Sequence, residues 1–336
     1  MKKWSQFATL GILTAALTLT ACSPNKDSSN EALQTVRVSE VIRSIFYAPQ
    51  YVAIEKGYFK EEGLDIQLDT AWGGDKAMTR LLADQADIAL IGAETTVYVQ
   101  QQGATDPVVN FAQVTQRDGS FVIARTKIDK WDWSMLKGKS LIGSRKGSMP
   151  EMVSEYVQKK NGLQPFTDVN IIQNISFDNQ ATAFSSGTGD FLQAFEPSGA
   201  ILEKAGQGHV VAAFGEDSGK LPYTVYMTKS STIKSAPATI QKFTNAVQKA
   251  QNFVHASQPE LVAAVIAPYF EGVAPEILTA VVKRYQATDG WAKDPLIDQE
   301  EFDNMKAIMK DAGELKADVK YEELVNTTFA KKAKAK

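Results

Sequence analysis

Tyr47-Ala48-Pro49-Gln50-Tyr51-Val52-Ala53-Ile54-Glu55-Lys56-Gly57-Tyr58-Phe59-Lys60-Glu61-Glu62-Gly63-Leu64 decides the fold, because a helix must stop and a strand must begin inside it. Pro49 suits the first turn of a helix, where its missing amide hydrogen leaves no intrahelical bond unmade. Val52, Ala53 and Ile54 supply an apolar face, and Gly57 ends the helix in a left-handed cap. Gly63 makes the next break and releases Leu64-Asp65-Ile66-Gln67-Leu68, whose strict alternation predicts a half-buried strand. Upstream, Val36-Arg37-Val38-Ser39-Glu40-Val41-Ile42 alternates in the same way. The unit is strand, helix, strand, and the turn after the first strand carries Ser44, Phe46 and Tyr47.

Further along the chain stand Leu81-Leu82-Ala83-Asp84-Gln85-Ala86-Asp87-Ile88-Ala89 with Gly92 after it, Leu136-Lys137-Gly138-Lys139-Ser140-Leu141-Ile142-Gly143, and Phe195-Glu196-Pro197. Together with the opening unit they resemble the periplasmic-type solute-binding proteins. The resemblance is to the branch that serves importers of nitrate, sulfonates, taurine and the pyrimidine half of thiamine, and it runs over most of the mature chain. It implies a two-lobed α/β fold of type II, with mostly parallel sheets flanked by helices. It also implies a small-molecule solute as ligand, a permease and its ATPase as partners, and no cofactor.

The N-terminus agrees independently. Lys2-Lys3 precede an apolar run from Phe7 to Ala21 that Gly11 and several threonines interrupt. That run is short for a membrane span of ~20 apolar residues, and its flanks suit a signal peptide. Leu19-Thr20-Ala21-Cys22 resembles a bacterial lipoprotein cleavage box, in which Cys22 becomes the lipid-bearing first residue. Residues 1–21 are therefore expected to be a lipoprotein signal peptide and 22–32 a polar, flexible tether. The protein is expected on the extracytoplasmic face of the cell membrane, as a monomer held by its lipid. Cys22 is the only cysteine, so no disulfide can form within the chain and the core must stabilise it alone.

Over 300 residues remain after the leader, enough for two lobes with buried cores. The net charge of −3 and the lack of a basic, aromatic-studded face argue against nucleic acid. Alternating strands and helices run to about residue 213, which implies mostly parallel sheets. From Pro237 the pattern is nearly all helical, broken at Pro259, Pro268, Pro275, Gly290 and Pro295. The resemblance places lobe one at 33–126 plus 221–336 and lobe two at 127–220, with crossovers near 128–135 and 215–221. Periodicity alone also allows two sequential domains. Trp131 and Trp133 would pack at the first crossover.

In open α/β sheets, ligands gather at the carboxyl ends of the strands. Those ends carry Ser44, Phe46 and Tyr47; Trp72 and Gly73; Glu94 and Thr95; Gln116 and Arg117; Arg145 and Ser148; Phe177; and Glu196. Gly92–Thr96 and Gly147-Ser148 each precede a helix, where free amides favour an anion. Arg117 and Arg145 could grip a sulfonate or carboxylate bidentately. Phe46, Tyr47, Trp72 and Phe177 could stack on a planar ligand, Trp72 above all because Gly73-Gly74 lets backbone approach closely. Glu94 and Glu196 oppose the anion reading, since a carboxylate beside an anionic ligand is unfavourable unless protonated or paired. Glu94 is expected as a surface residue in a first helical turn, and Glu196 as the ligand contact of the two. If either faces the cleft, an amine or aminopyrimidine fits better.

An enzyme of pyrimidine synthesis resembles this branch too, but uses a histidine and a cysteine-rich iron motif. Here the two histidines are His209 and His255, neither at a strand's carboxyl end. No metal-spaced cluster, Gly-x-Ser-x-Gly elbow or phosphate loop occurs. A two-lobed sensor without transport stays open.

Overall fold

The structure is a computed structural model that describes residues 32–335. The expected signal peptide, the tether up to Glu31 and Cys22 lie outside the described residues.

Pro49 sits in the first turn of the helix Ala48–Glu55, and Gly57 and Gly63 adopt the left-handed conformation at φ 72° and 78°. The alternating segments beside them become parallel neighbours, β1 (Gln34–Glu40) and β2 (Leu64–Thr70), paired along their whole length from Gln34 opposite Leu64. With β3 (Ile88–Gly92) and β4 (Val108–Thr115) they belong to one sheet. A second sheet holds β5 (Ser120–Ala124), β6 (Ser140–Ile142), β7 (Asn170–Ile172), β8 (Phe191–Phe195) and β9 (His209–Ala213). The last strand, β10 (Thr224–Lys229), returns to the first sheet. The orders are β2-β1-β3-β10-β4 and β7-β6-β8-β5-β9.

Each sheet is parallel but for one strand, β10 in the first and β5 in the second. These two are the strands that arrive from the other lobe. A chain crossing between lobes enters at the edge facing its origin, so it runs against strands whose carboxyl ends meet that edge. Ser120–Ala124, expected in lobe one, hydrogen-bonds instead to β8 and β9. The first crossover is therefore 116–119, before β5, and not 128–135. Its continuous apolar run, buried throughout, reads the same in either sheet, because a strand's pattern does not name its partner. Leu221 donates to the Gln116 carbonyl at 3.1 Å and Tyr223 to the Thr115 carbonyl at 3.1 Å, so the two crossovers lie side by side. Trp131 and Trp133 pack edge to face, and Trp133 Nε1 donates to Asp217 at 2.7 Å. They brace the helix Phe214–Ser218 without forming the crossover.

Pro237, Pro259 and Pro275 each open a helix: Pro237–Ala256, Pro259–Ile266 and Pro275–Ala287. The first packs its apolar face on the opening helix, with Phe243 edge-on to Tyr226 at 4.8 Å between ring centroids. A continuous apolar core threads both sheets, and a smaller cluster around Ile123, Phe184 and Leu192 completes the second lobe.

Candidate functional site

A cavity of about 450 Å³ lies between the lobes, where the carboxyl ends of both sheets face each other. Tyr47, Glu94 and Thr95 reach it from the first lobe and Arg145, Ser148 and Phe177 from the second. Val41, Met78, Tyr98, Met149, Phe195, Tyr223 and Thr224 line it as well. The wall is thus largely apolar and aromatic, with a few polar tips, the ordinary make-up of a small-molecule site.

Glu94 is the central polar group. It is 5% exposed, so the expectation of a surface residue is corrected. The helix Glu94–Gln101 begins at the cavity floor, and the carboxyl folds back over Gly92, where any side chain would collide with it. Its Oε1 accepts from the Met149 amide across the lobe boundary at 3.2 Å, while Oε2 has no partner. Burial pushes the group up to about 7, and its own amide and that of Met149 pull it only partly back. One turn along the same helix, Tyr98 donates to the Gly147 carbonyl at 2.9 Å, a second direct bond between lobes.

Of the two helix starts expected to hold an anion, the one at Gly147–Met149 is filled by the protein's own carboxylates. Glu94 takes the Met149 amide. Glu151 takes the Gly147 amide at 3.0 Å, and burial and nearby Glu155 push Glu151 upward. Ser148 Oγ donates to the Arg145 carbonyl, and Thr95 Oγ1 to the Gly92 carbonyl. Arg145 is half exposed and bridges the lobes to Asp75 at 2.9 Å, holding that carboxyl below its usual range.

Other expected contacts lie elsewhere. Phe46 is fully buried, against Tyr285 at 4.8 Å and Tyr223 at 5.9 Å. Gln116 and Arg117 belong to the crossover: Gln116 accepts from Lys220 at 3.2 Å, and Arg117 donates to the Gly215 carbonyl at 3.1 Å. Glu196, expected as the ligand contact, is ion-paired with Arg284 from the helix Pro275–Ala287 and accepts from the Ala200 amide at 2.8 Å. Burial raises it and Arg284 draws it back. Ser44 Oγ donates to the Glu196 carbonyl at 3.0 Å. Ser44 and Glu196 border a side pocket of about 140 Å³ instead of the main cavity. Trp72 and Gly73 line a neighbouring compartment.

Tyr98 and Tyr223 line the cavity without standing at any of the strand ends named from the sequence. Tyr98 stands four residues after Glu94, hence on the same helix face, and that spacing could have found it. Behind Tyr223 lies Asp118, buried in the first crossover and pushed up to about 7 by desolvation, with Ser120 as its donor. The Tyr223 hydroxyl interacts with that carboxyl, although neither tip attains hydrogen-bond geometry. No spacing in the chain announces this pair. Among the described residues no group of three His, Cys, Asp or Glu side chains could hold a metal ion, and none of the helices is long and apolar enough to cross a membrane.

Two α/β lobes with a lined cavity between them, joined by paired crossovers, define a periplasmic-type solute-binding protein. Residues 45–261 match the family described as NMT1/THI5 like, and the chain belongs to it. The Bacillus subtilis protein YtlA, a binding protein by name, is 46% identical over 334 residues, 99% of this chain and 98% of the relative. The formylaminopyrimidine-binding protein of Halalkalibacterium halodurans is 43% identical over a shorter stretch of 63 residues, 18% of this chain and 19% of that protein. The alkanesulfonate-binding protein SsuA from Xanthomonas axonopodis pv. citri, bound to MOPS, shares the fold at TM-score 0.71 and 17% identity, over 88% of this chain and 98% of that one. Family and relative are consistent with a non-catalytic solute-binding protein.

Proposed function

We propose that this chain is the solute-binding lipoprotein of an ATP-driven importer, anchored through Cys22 on the extracytoplasmic face, and that its solute carries an amino-bearing head of the aminopyrimidine kind. It closes two lobes on that solute and presents the closed form to a permease. Ligand energy shifts the balance of open and closed forms, and no bond is made or broken.

The unpartnered Oε2 of Glu94 carries the choice of ligand. A buried acceptor without a donor costs ~1–3 kcal/mol, and an amine or ring N–H of a ligand removes that cost. A sulfonate or nitrate at the same place would face a carboxyl and find the nearby helix amides already taken. Flat walls formed by Tyr47, Phe177 and Phe195 suit a planar ring. The short stretch shared with a formylaminopyrimidine-binding protein points the same way.

Calorimetry with aminopyrimidines, alkyl sulfonates and nitrate tests this. Aminopyrimidine binding that strengthens about tenfold from pH 6 to pH 8 is expected, because the donor favours the ionised carboxylate. Tight sulfonate or nitrate binding without aminopyrimidine binding would overturn the head assignment. Cys22→Ala is expected to move the protein from the membrane fraction to the soluble one, and retention there would refute the anchor.

A further inference from the structure

The cavity does not end at Phe177. A compartment of about 120 Å³ adjoins it, bordered by Trp72, Gly73, Lys76 and Asp178. Ile42, Arg145 and Phe177 line both spaces, so the two share a wall.

Trp72 is an unusual residue to find there. The residue is 56% exposed, although a large apolar side chain gains most by burial. Its backbone sits at φ 57°, a region that bulky residues rarely occupy and that costs on the order of 1 kcal/mol. The Gly73 amide donates to the Val41 carbonyl at 3.0 Å and pins the backbone beside Trp72 at the compartment's edge. A strained backbone that sets a large aromatic beside a cavity is the kind of outlier from which a binding role is inferred. Phe177 offers the opposite aromatic edge and is itself steadied by Phe195, edge to face at 6.1 Å. In charge, Lys76 and Arg145 balance Asp178 and the Asp75 carboxyl beside Gly73, and Lys76 is the cation with no ion pair among the described residues. The exposed pair of Arg145 with Asp75 is of the kind worth ~0–1 kcal/mol, so a ligand anion can compete for it.

We propose that this compartment is a second subsite, which takes a planar, acidic arm attached to the amino-bearing head held at Glu94; the proposal rests on the head assignment made above. The solute would then be longer than a bare heterocycle, with its donor end buried and its acidic end near Lys76 and Arg145. Such a ligand spans both lobes and reports closure at both ends.

Three amides of 4-amino-5-aminomethyl-2-methylpyrimidine separate the parts: formyl, benzoyl and 4-carboxybenzoyl. The benzoyl amide is expected to bind about fivefold tighter than the formyl amide through stacking. The carboxylate is expected to add about a further threefold. Trp72→Ala should remove the first gain and Lys76→Gln the second, while equal affinities for all three amides would overturn the subsite. The arm can also be tested without the head. 4-Carboxybenzamide at millimolar concentration should shift the Trp72 indole N–H resonance, assigned with Trp72→Phe, and an unmoved resonance overturns the subsite whatever the head does. A shifted resonance with none of the amides binding would instead remove the aminopyrimidine head and leave the subsite standing.

Discussion

Replacing Glu94 by glutamine should make the empty protein more stable and the binding protein useless. The carboxyl is buried, one oxygen takes a 3.2 Å bond from the Met149 amide, and the other takes none. Burial raises the group from an ordinary 4.5 to about 7. Between those two values the native state keeps a proton that the unfolded chain has already released, so stability falls as pH rises through that window and stays low above it. The size of the shift corresponds to roughly 3 kcal/mol at pH 8. Glutamine keeps the shape and an acceptor for Met149 but carries no charge to desolvate. Glu94→Gln should therefore match the parent near pH 4.5 and exceed its unfolding midpoint at pH 8 by roughly 5 °C. Asp118 titrates over a similar range, but it is present in both proteins and cancels in the difference. Aminopyrimidine affinity should fall by about ten- to a hundredfold, the loss expected for a hydrogen bond to a charged group. Scanning calorimetry from pH 4.5 to 8.5, with titration calorimetry at pH 8, reads both effects. A variant less stable than its parent at pH 8, or with unchanged pH dependence, would refute the view that Glu94 is an undersatisfied buried carboxyl.

Gly92→Ala should act on the same group from below. A methyl there meets the Glu94 carboxyl, which must swing away, so ligand affinity should fall more than tenfold while the urea midpoint moves little; unchanged affinity would show that Glu94 is dispensable. Arg284→Ala strands Glu196 and Glu203 and should cost ~3–5 kcal/mol in urea unfolding, with Glu196→Gln restoring part of it. A loss below 1 kcal/mol would mean that water replaces the arginine. Gly215→Ala sets a methyl against the Asp118 backbone carbonyl in the paired crossovers, where neither partner can rotate aside. The unfolding midpoint should drop by several degrees, and an unchanged midpoint would show that the crossover backbone yields.

The fold was legible because its signals are local. Pro49, Gly57 and Gly63 punctuate the first unit by their own backbone limits, and the later prolines open helices for the same reason. About half of the candidate site was legible too, since Tyr47, Glu94, Thr95, Arg145, Ser148 and Phe177 stand at strand ends that one topological rule brings together. That rule names a position, whereas a contact depends on direction and company. Phe46 and Tyr47 are adjacent, yet one fills the core and the other the cavity wall. Arg117 and Arg145 looked alike as anion clamps, but Arg117 closes a crossover and Arg145 bridges an exposed rim.

The two glutamates divide what the chain alone determined from what only its tertiary structure decided. Sequence placed Glu94 and Glu196 after strands and posed the question of the site's charge, because helix starts and strand ends are encoded within a few residues. The answer depended on groups distant in the chain. Arg284 arrives from a helix 88 residues away to neutralise Glu196, while Glu94 receives a single amide from the opposite lobe and no cation. A carboxyl's charge is set by the donors and the water around it, and those are assembled only when the lobes fold against each other.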